Sequence, residues 1–387
     1  MHIIVKQNVI TQVLAHANRV VEKRLATPVL GCVLLETIDN EHVKITSTNL
    51  DITVIDVFPC TVEFSGSYCI PAGLFYDITK KLNSDIVLEK SDNANTISVT
   101  SNKASFAIHY VESKEFPPVT SQEILMSFEL NANLLKNALN IAKVSMSQDS
   151  VRVQLNGVYM HYENEDEQNR LRIVSTDLFR VACVSIPASN DIQNMSPIII
   201  SRRAVGELLH MLDSTDSVSV KLQNGQVMFE ASLKNNIQST YVTRLVNGAF
   251  PEYKMALDVA NDKVMTANTE ELVNALDRVS TVISDTSNSI KLSLIENNLT
   301  LSSISREYGS ATESLDVNFQ SSEPLDICFN CKYLLELVKQ IDSEQVEISF
   351  NSSSSPTIIK PVLNKDKDLT QNIKTEFVIM PVELIHN

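Results

Sequence analysis

Two cysteines stand at a spacing that can support chemistry. Cys328 and Cys331 form a Cys-x-x-Cys pair in the segment DICFNCKYL, where a predicted strand meets a predicted helix. Zinc sites and thiol redox sites both use this spacing. A zinc site of this type needs a second such pair and a thioredoxin-like site needs a β-α-β unit, and the sequence has neither. The pair is therefore predicted to be two partly buried thiols that cap the last helix.

An acidic cluster, formed by Glu163, Glu165, Asp166 and Glu167, could be a metal-binding loop. A calcium loop places Asp or Asn at alternate positions and has a glycine at its turn. This segment lacks both features, so a solvated hairpin turn is the better interpretation.

Glycine and histidine spacings argue against the common catalytic motifs. The eight glycines are never closer than seven positions, and the seven histidines are never closer than fourteen. A P-loop, a dinucleotide-binding fingerprint and a hydrolase nucleophile elbow all need glycines closer together than this, and a helical zinc site needs a closer histidine pair. The sequence therefore predicts no catalytic residues, no metal site and no cofactor, and hence a protein that is not an enzyme.

Length and composition favour several folded domains. The chain has 387 residues, of which 43% are hydrophobic and 20% charged, enough for three cores in domains of roughly 130 residues. No window is apolar enough for a membrane span and the N-terminus lacks a signal-peptide pattern, so a cytoplasmic protein is expected. Six scattered cysteines are too few for a disulfide scaffold and predict free, mostly buried thiols.

An internal repeat determines the predicted helices. Three segments of the same length and apolar phase lie 130 and 129 positions apart, beginning at Pro71, Ser201 and Asn330. Each has the spacing of a helix with one buried face. A second helix precedes each of them, with a nearby Asn or Thr as its predicted N-cap, and these helices begin near Asn8, Asn131 and Asn268.

Short strands fill the intervals between these helices. Segments such as HVKITST, LRIVSTD and QVMFEAS alternate polar and apolar residues and are rich in β-branched side chains. Each unit ends on a strand with an aromatic residue, and these residues are Phe106, Tyr241 and Phe377. The sequence thus predicts an α+β fold with three tandem copies of a two-helix, antiparallel-sheet domain. Three unrelated α+β domains are the alternative.

The predicted helices carry a different charge from the rest of the chain. The formal net charge is −15, yet the six helical segments together hold twelve basic and seven acidic residues. One basic face can meet phosphate while every other surface repels it. The candidate phosphate-facing cations are Arg19, Lys23, Arg24, Lys80, Lys81, Lys136, Lys143, Arg202, Arg203, Lys332 and Lys339. The alternative is that these are ordinary solvated helix faces, and the acidic fifth helix, 268–280, departs from the trend.

Six segments, in order along the chain, carry a likeness to a known family. They are TPVLG at 27–31, SVRVQLNGV at 150–158, STDLFRVA at 175–182, RLVNGAFPEY at 244–253, FNCKYLLEL at 329–337 and FVIMPVEL at 377–384. No single motif is specific, but their order and spacing are. Together they resemble the beta subunit of bacterial DNA polymerase III, the sliding clamp. The resemblance implies the DNA clamp fold, a head-to-tail homodimeric ring, and clamp domains at 1–122, 127–256 and 257–387.

The resemblance also implies a function without chemistry. A ring lined by helices would encircle double-stranded DNA without reading its sequence, as a processivity factor. It would tether the replicative polymerase, the clamp loader and other partners through short peptide motifs. The alternative is a repeat-built protein-interaction adaptor that does not encircle DNA. A hydrolase or redox enzyme would depend only on Cys328 and Cys331.

Two sets of binding residues follow from the resemblance. At the dimer interface, edge strands of the first and third domains would pair, with contacts from Phe106, Ile108, Val282, Ile283, Glu307 and Glu313. An apolar peptide-binding cleft would be formed by Leu155, Thr176, Leu178, Phe179, Arg180, Val181, Pro251, Asn330, Tyr333, Val378, Ile379, Met380, Pro381 and Val382. Aliphatic walls there would hold Leu or Phe anchors, and Arg180 and Asn330 would fix polar peptide groups. For the aliphatic members, an ordinary core position is the alternative.

This chain departs from the family pattern at the cleft. Leu178 and Phe179 stand where the family usually has Gly-His, which predicts a narrower and more apolar cleft. Glu383 replaces a commonly basic or neutral residue, and 385–387 extend past the usual terminus. The preferred peptide is therefore expected to differ from that of other members.

Overall fold

The computed structural model describes two compact units. The described residues are 1–22, 27–91, 95–120, 122–165, 167–284, 288–321, 323–362 and 373–383. Unit 1 consists of residues 1–136, 188–195 and 203–246, and unit 2 of residues 137–187, 196–202 and 247–387. Lys23 and Arg24, two of the candidate phosphate-facing residues, lie outside the described residues.

Seven α-helices occur in the part of the chain that the structure describes. They are α1 (Gln7–Val20), α2 (Ala72–Thr79), α3 (Ala132–Ala142), α4 (Arg202–Leu212), α5 (Lys254–Leu257), α6 (Thr269–Ser280) and α7 (Cys331–Val338). Six of them are the predicted helices, and five of these six begin one residue after the predicted start. The single-turn helix α5 was not predicted, because four residues are too few to show a helical period.

Asparagine side chains cap three of these helices. The Asn131 side chain accepts a hydrogen bond from the Leu134 amide at 3.0 Å, Asn268 from Glu271 at 3.0 Å, and Asn330 from Tyr333 at 3.1 Å. Each bond satisfies one backbone amide that has no partner inside its helix. The predicted cap is wrong for α1, which follows Lys6 and has no side-chain cap.

The cap of α7 permits a test of local stability. Replacing Asn330 by Ala should lower the free energy of unfolding by about 1 kcal/mol, because the amide acceptor is lost. Asn330→Asp keeps an acceptor oxygen at the helix N-terminus and should be close to the wild type. Thermal unfolding of the three proteins would check this, and an equal loss in both variants would contradict a capping role.

The strands form antiparallel sheets, two of which lie in unit 1. The five-stranded sheet has the order β5 (Thr61–Phe64), β1 (His2–Val5), β7 (Ile86–Lys90), β8 (Thr96–Ser101) and β9 (Ala104–His109). The nine-stranded sheet has the order β10 (Val111–Glu112), β6 (Ser67–Pro71), β2 (Cys32–Thr37), β3 (His42–Thr48), β4 (Ile52–Pro59), β18 (Ile237–Arg244), β17 (Gln226–Leu233), β16 (Ser217–Gln223) and β11 (Ile124–Asn131).

Unit 2 has a matching pair of sheets. Its nine-stranded sheet has the order β15 (Ile198–Ser201), β12 (Gly157–Glu165), β13 (Gln168–Thr176), β14 (Arg180–Pro187), β27 (Lys374–Ile379), β26 (Thr357–Pro361), β25 (Gln345–Phe350), β19 (Lys263–Asn268) and β23 (Asn318–Phe319). Its four-stranded sheet has the order β22 (Gly309–Asp316), β21 (Asn298–Ser305), β20 (Ser289–Ile295) and β24 (Leu325–Asn330).

The closing strand of a repeat pairs with the repeat before it. In unit 1, β18 pairs with β4, which places Tyr241 opposite Val54. In unit 2, β27 pairs with β14 in the same way, which places Phe377 opposite Ala182. The closing strand of the first repeat, β9, pairs only with β8 among the described strands. Phe106 on β9 is consequently exposed, whereas Tyr241 and Phe377 are buried.

The buried core of unit 2 lies between its helices and sheets. Leu272, Leu276 and Val279 of α6 and Leu334 and Leu337 of α7 are buried in one cluster that also includes Phe377. Of the apolar residues that the repeat predicts for the last helix, Leu334, Val338 and Ile341 are buried in this cluster and Leu335 is partly buried, whereas buried Leu337 was not predicted. Burying each such side chain contributes about 1.5–3 kcal/mol. The helical phase of the repeat therefore identifies most of the residues that this helix buries.

Candidate functional site

A tight turn between β13 and β14 lies at the centre of the predicted cleft. The Thr176 hydroxyl donates to the Arg180 carbonyl at 2.8 Å and accepts from the Leu178 amide at 3.0 Å. One carboxylate oxygen of Asp177 accepts from the amides of Phe179 and Arg180, both at 3.0 Å. Leu178 has φ 77°, in the left-handed region that favours glycine. Four hydrogen bonds thus hold a leucine in a backbone conformation that is unfavourable for it.

The same turn occurs in unit 1. There the Thr48 hydroxyl donates to the Ile52 carbonyl and accepts from the Leu50 amide, each at 3.0 Å, and Asn49 replaces Asp177 as the second acceptor. Leu50 has φ 76°. After the neighbouring closing strand, the Arg244 amide donates to the Asp51 carbonyl at 2.9 Å, just as the Met380 amide donates to Phe179 at 2.8 Å. The repeat therefore extends to individual hydrogen bonds, which three unrelated domains would not share.

Arg180 is buried and already has partners within unit 2. Its Nε atom donates to Asp177 at 3.0 Å and its terminal nitrogen to Glu336 at 2.7 Å. The guanidinium also lies over the Tyr333 ring, 4.1 Å from its centroid. Two carboxylates neutralise this cation, so its main structural effect is to join the turn to α7.

Several apolar side chains are exposed at one end of β14 and β27. Leu178 is 46% exposed, Phe179 60% and Met380 37%. Beyond Met380, the Val382 amide donates to the Cys328 carbonyl at 2.8 Å, which fixes the chain around half-buried Pro381. Exposed large apolar side chains beside a rigid turn are typical of a binding surface.

Other predicted cleft residues are buried in the sheet. Leu155 and Ile379 have almost no exposed surface, and Val181 and Val378 are covered by Tyr253 and its neighbours. These four aliphatic residues are buried, as residues of an ordinary core are. Asn330 caps α7, and Pro251 is half-buried.

Residues 250–257 form a part of this site that the sequence analysis largely missed. Tyr253 packs with Val174, Val181, Cys183 and Val378 in one buried cluster. Against this cluster lie Tyr159, Phe250, Ala256 and Leu257. Only Pro251 of the segment was predicted, although the run AFPEY contained the signal: two aromatic residues around a proline in a loop.

Most of the candidate phosphate-facing cations make local contacts. Lys136 pairs with Asp213 at 2.5 Å, Lys339 with Asp277 at 3.2 Å and Arg203 with Glu22 at 3.5 Å. The other contacts are those of Arg19 with His210, Lys143 with Asn140, Lys80 with the Tyr76 ring, and Arg202 with the carbonyls of Met146 and Ser147. Lys81 and Lys332 are exposed. The ion pairs weaken the field that these helices would present to phosphate.

The cysteine pair is part of the core. Cys328 and Cys331 are both buried, and burial raises the pKa of both thiols, that of Cys331 to about 11. Neither thiol is a ready nucleophile at neutral pH, because the thiolate is the reactive form. The prediction that partly buried thiols cap the last helix is wrong, since Asn330 makes the cap and both thiols are almost fully buried.

The acidic cluster is only partly a solvated turn. Glu163 lies within β12 and pairs with Arg172 at 2.7 Å and with Lys254 at 2.9 Å. Glu165 pairs with Lys374 at 3.0 Å. Glu167 is exposed in the turn, and Asp166 lies outside the described residues. The acids of the strand therefore form ion pairs on the sheet instead of pointing into solvent.

Three related repeats, linked by closing strands and carrying an apolar surface, define a DNA sliding clamp of the three-domain type. Models of the DNA polymerase III beta subunit match the N-terminal domain at residues 1–120, the central domain at 129–252 and the C-terminal domain at 255–379. The chain belongs to the DNA polymerase III beta subunit family. As a sliding clamp it is a processivity factor and not an enzyme.

Curated relatives and solved structures agree with this assignment. The beta sliding clamp of Haemophilus influenzae is 30% identical over 366 residues, which are 94% of this chain and 95% of that protein. That of Caulobacter vibrioides is 27% identical over 362 residues, 93% of this chain and 95% of the relative. The sliding clamp structure from Bartonella birtlesii bound to griselimycin has a TM-score of 0.90 and 31% identity, with 99% and 100% of the two chains covered. No described helix is long and apolar enough to cross a membrane.

Proposed function

We propose that two copies of this chain join head to tail into a closed ring of six domains, with domain limits at 1–122, 127–256 and 257–387. The observation that carries this proposal is a pair of free strand edges. The strand β22 occupies in the third repeat the place of β4 and β14, yet among the described strands it pairs only with β21. The closing strand β9 likewise pairs only with β8 among them. The β9 edge of one copy therefore fits the β22 edge of another, and a repeated heterologous contact can close a ring.

The register of this contact follows from the repeat. The Ser175 hydroxyl donates to the carbonyl of Ala142 in α3, and the Ser303 hydroxyl donates at 3.0 Å to that of Val279 in α6. Ser303 is thus the counterpart of Ser175, and its strand partner Ala311 is the counterpart of Ala182. Because Phe377 lies opposite Ala182, Phe106 should lie opposite the partner's Ala311.

Other predicted interface residues support the proposal unequally. Ile283 and Ala311 are both half-buried against the core of unit 2, so an inserted Phe106 would extend that core. Ile108 is only 2% exposed and packs within its own sheet, so it has little surface left for a partner. Glu313 accepts from Arg278 of its own unit at 3.0 Å. Val282 is half-buried and Glu307 is exposed.

The ring would hold double-stranded DNA through phosphates, independently of sequence, in the cytoplasm. The basic residues of the predicted helices supply the contacts, while the remaining acidic surface keeps DNA from binding elsewhere. Loading onto nicked circular plasmid followed by gel filtration should show the protein travelling with the DNA. Cutting the plasmid once should release it, because only a ring is lost through an end. Retention on linear DNA, or none on circles, would favour an adaptor that does not encircle DNA.

The exposed apolar surface would receive partner peptides from the replicative polymerase, the clamp loader and other clamp-binding proteins. Leu178, Phe179 and Met380 are the exposed members, and Pro381 and Val382 extend the surface. Apolar anchors such as Leu and Phe match it chemically. Griselimycin, which is bound in the Bartonella birtlesii clamp structure, is a suitable second ligand to test with the same variants.

A further inference from the structure

A buried histidine and tyrosine lie behind the proposed cleft. His161 of β12 is 8% exposed, and its Nε2 atom is 2.8 Å from the hydroxyl of Tyr253, which is 6% exposed. The other ring nitrogen, Nδ1, is 2.8 Å from the Tyr162 carbonyl. A carbonyl can only accept, so Nδ1 carries the proton and Nε2 accepts from the tyrosine hydroxyl. Both contacts fit a neutral His161, the form that burial favours, with its single ring proton on Nδ1.

Several charged residues lie near His161 and Tyr253, but neither ring nitrogen of His161 bonds to a charged group. Arg172 of β13 pairs with Glu163 at 2.7 Å, and its positive charge opposes the rise that burial causes in the pKa of Tyr253. Lys254 of α5 pairs with the same glutamate. Burial is the largest cause that lowers the pKa of His161, and Arg172 and Lys254 add to it, whereas Glu163 and the Tyr162 carbonyl act in the opposite direction. Burial also raises the pKa of the neighbouring Cys183 thiol, so no negative sulfur balances a histidine cation.

The Tyr253 hydroxyl fixes one wall of the cleft. The Tyr253 ring covers Val181 and Val378, and its amide donates to the Pro251 carbonyl at 2.8 Å. Phe250 stacks on Tyr159, with ring centroids 4.6 Å apart and planes 4° from parallel. The segment from Phe250 to Leu257 is therefore attached to the sheet by stacking at its first residue and by the His161 bond at Tyr253.

We propose that His161 and Tyr253 are positioning residues for peptide binding, and that their hydrogen bond holds the wall formed by residues 250–257 in its binding-competent place. The inference rests on the proposed peptide-binding function. If His161 were protonated, its Nε2 atom would be a donor and could no longer accept the hydrogen bond from the Tyr253 hydroxyl. The new positive charge would also lie near the cations Arg172 and Lys254. Since the pKa of His161 lies below its ordinary value of about 6.5, the bond is complete above that pH and is lost as the pH falls through the lowered pKa.

The test compares Tyr253→Phe with Tyr162→Phe in the full-length protein. Tyr162 lies on the same strand as His161, and its hydroxyl donates to Asn169 at 2.9 Å, away from residues 250–257. Affinity for a fluorescent peptide ending in Leu-Phe is measured by anisotropy between pH 7.5 and 5. At pH 7.5, Tyr253→Phe should bind roughly three- to tenfold more weakly than the wild type, as expected for one buried hydrogen bond. Tyr162→Phe should bind normally.

The pH profile separates positioning from a general loss of stability. The wild type and Tyr162→Phe should lose affinity as the pH falls through the lowered pKa of His161, whereas Tyr253→Phe should show a much smaller further loss. Unchanged affinity and an unchanged profile in Tyr253→Phe would overturn the inference, provided that the wild type binds the peptide. No binding by the wild type at any pH would instead contradict the proposed function. Histidine nitrogen chemical shifts give an independent reading, and a protonated Nε2 at pH 7.5 would also overturn the assignment.

Discussion

Replacing Met380 and Pro381 together by alanine is expected to abolish binding of the Leu-Phe peptide while leaving the dimer intact. Met380 is the exposed apolar side chain that follows β27, and its amide is held by Phe179. Truncating an anchor contact of this kind costs about 2 kcal/mol or more, which is at least roughly thirtyfold in affinity. Fluorescence anisotropy gives the affinity, and size-exclusion chromatography with light scattering gives the oligomeric state.

The repeat supplies matched controls for this variant. Arg244 occupies the position of Met380 in unit 1, so Arg244→Ala should leave peptide binding unchanged. Leu178→Ala should weaken binding, whereas Leu50→Ala, at the same backbone conformation and a similar exposure, should not. If the Met380 and Pro381 variant lost dimerisation together with peptide binding, the proposed cleft would be misplaced. Griselimycin binding that survived the same change would show that this compound uses another surface.

Replacing Phe106 by Arg is expected to open the ring. The proposed contact buries the Phe106 ring opposite Ala311 of the other copy, and a charged side chain there would lose about 3 kcal/mol of apolar burial and add a desolvation cost. The dissociation constant of the dimer should rise at least roughly a hundredfold. Light scattering across a concentration series should then show a monomer, and retention on nicked circular DNA should fall to background.

Phe64→Arg is the control for the interface. Phe64 is exposed on β5, the other edge of the same five-stranded sheet, so this variant adds the same charge without touching the proposed contact. It should remain dimeric and stay on circular DNA. A dimer that persisted in Phe106→Arg would contradict the proposed register.

The sequence was most informative where the pattern is local. Apolar phase located six helices, each start lying within one residue of the predicted one, and two of these helices have the predicted asparagine cap. Both signals lie within a few residues of the helix itself. The motif STDLFRVA at 175–182 contains the turn at Thr176. Its hydrogen bonds and the left-handed conformation of Leu178 were not predictable, because a leucine gives no signal for that conformation. Among the cleft residues, sequence could not separate exposed Met380 from buried Ile379, since both are apolar and adjacent in the chain.

Some contacts depend on residues far apart in the chain. The bond from Tyr253 to His161 joins positions 92 residues apart, and the pair of Arg180 with Glu336 joins positions 156 residues apart. Neither contact leaves a pattern in the local sequence. A buried polar group needs a hydrogen-bond partner, and the tertiary structure determines which residue lies close enough to be that partner. The same reason explains the error at Glu163, whose partners lie on the next strand and in α5.

By itself the sequence determined a threefold repeat and which segments are helices and which are strands. It also determined the contrast between basic helical segments and an acidic remainder, and the lack of glycine and histidine spacings for common catalytic motifs. These are properties of residues close together or of a period along the chain. Only the tertiary structure decided that β18 and β27 join the preceding repeat while β9 and β22 lie at sheet edges among the described strands. The physical reason is that strand pairing satisfies backbone groups across long distances in the chain, and any strand offers the same backbone groups to any other. Which strand lacks a partner is a property of the whole fold.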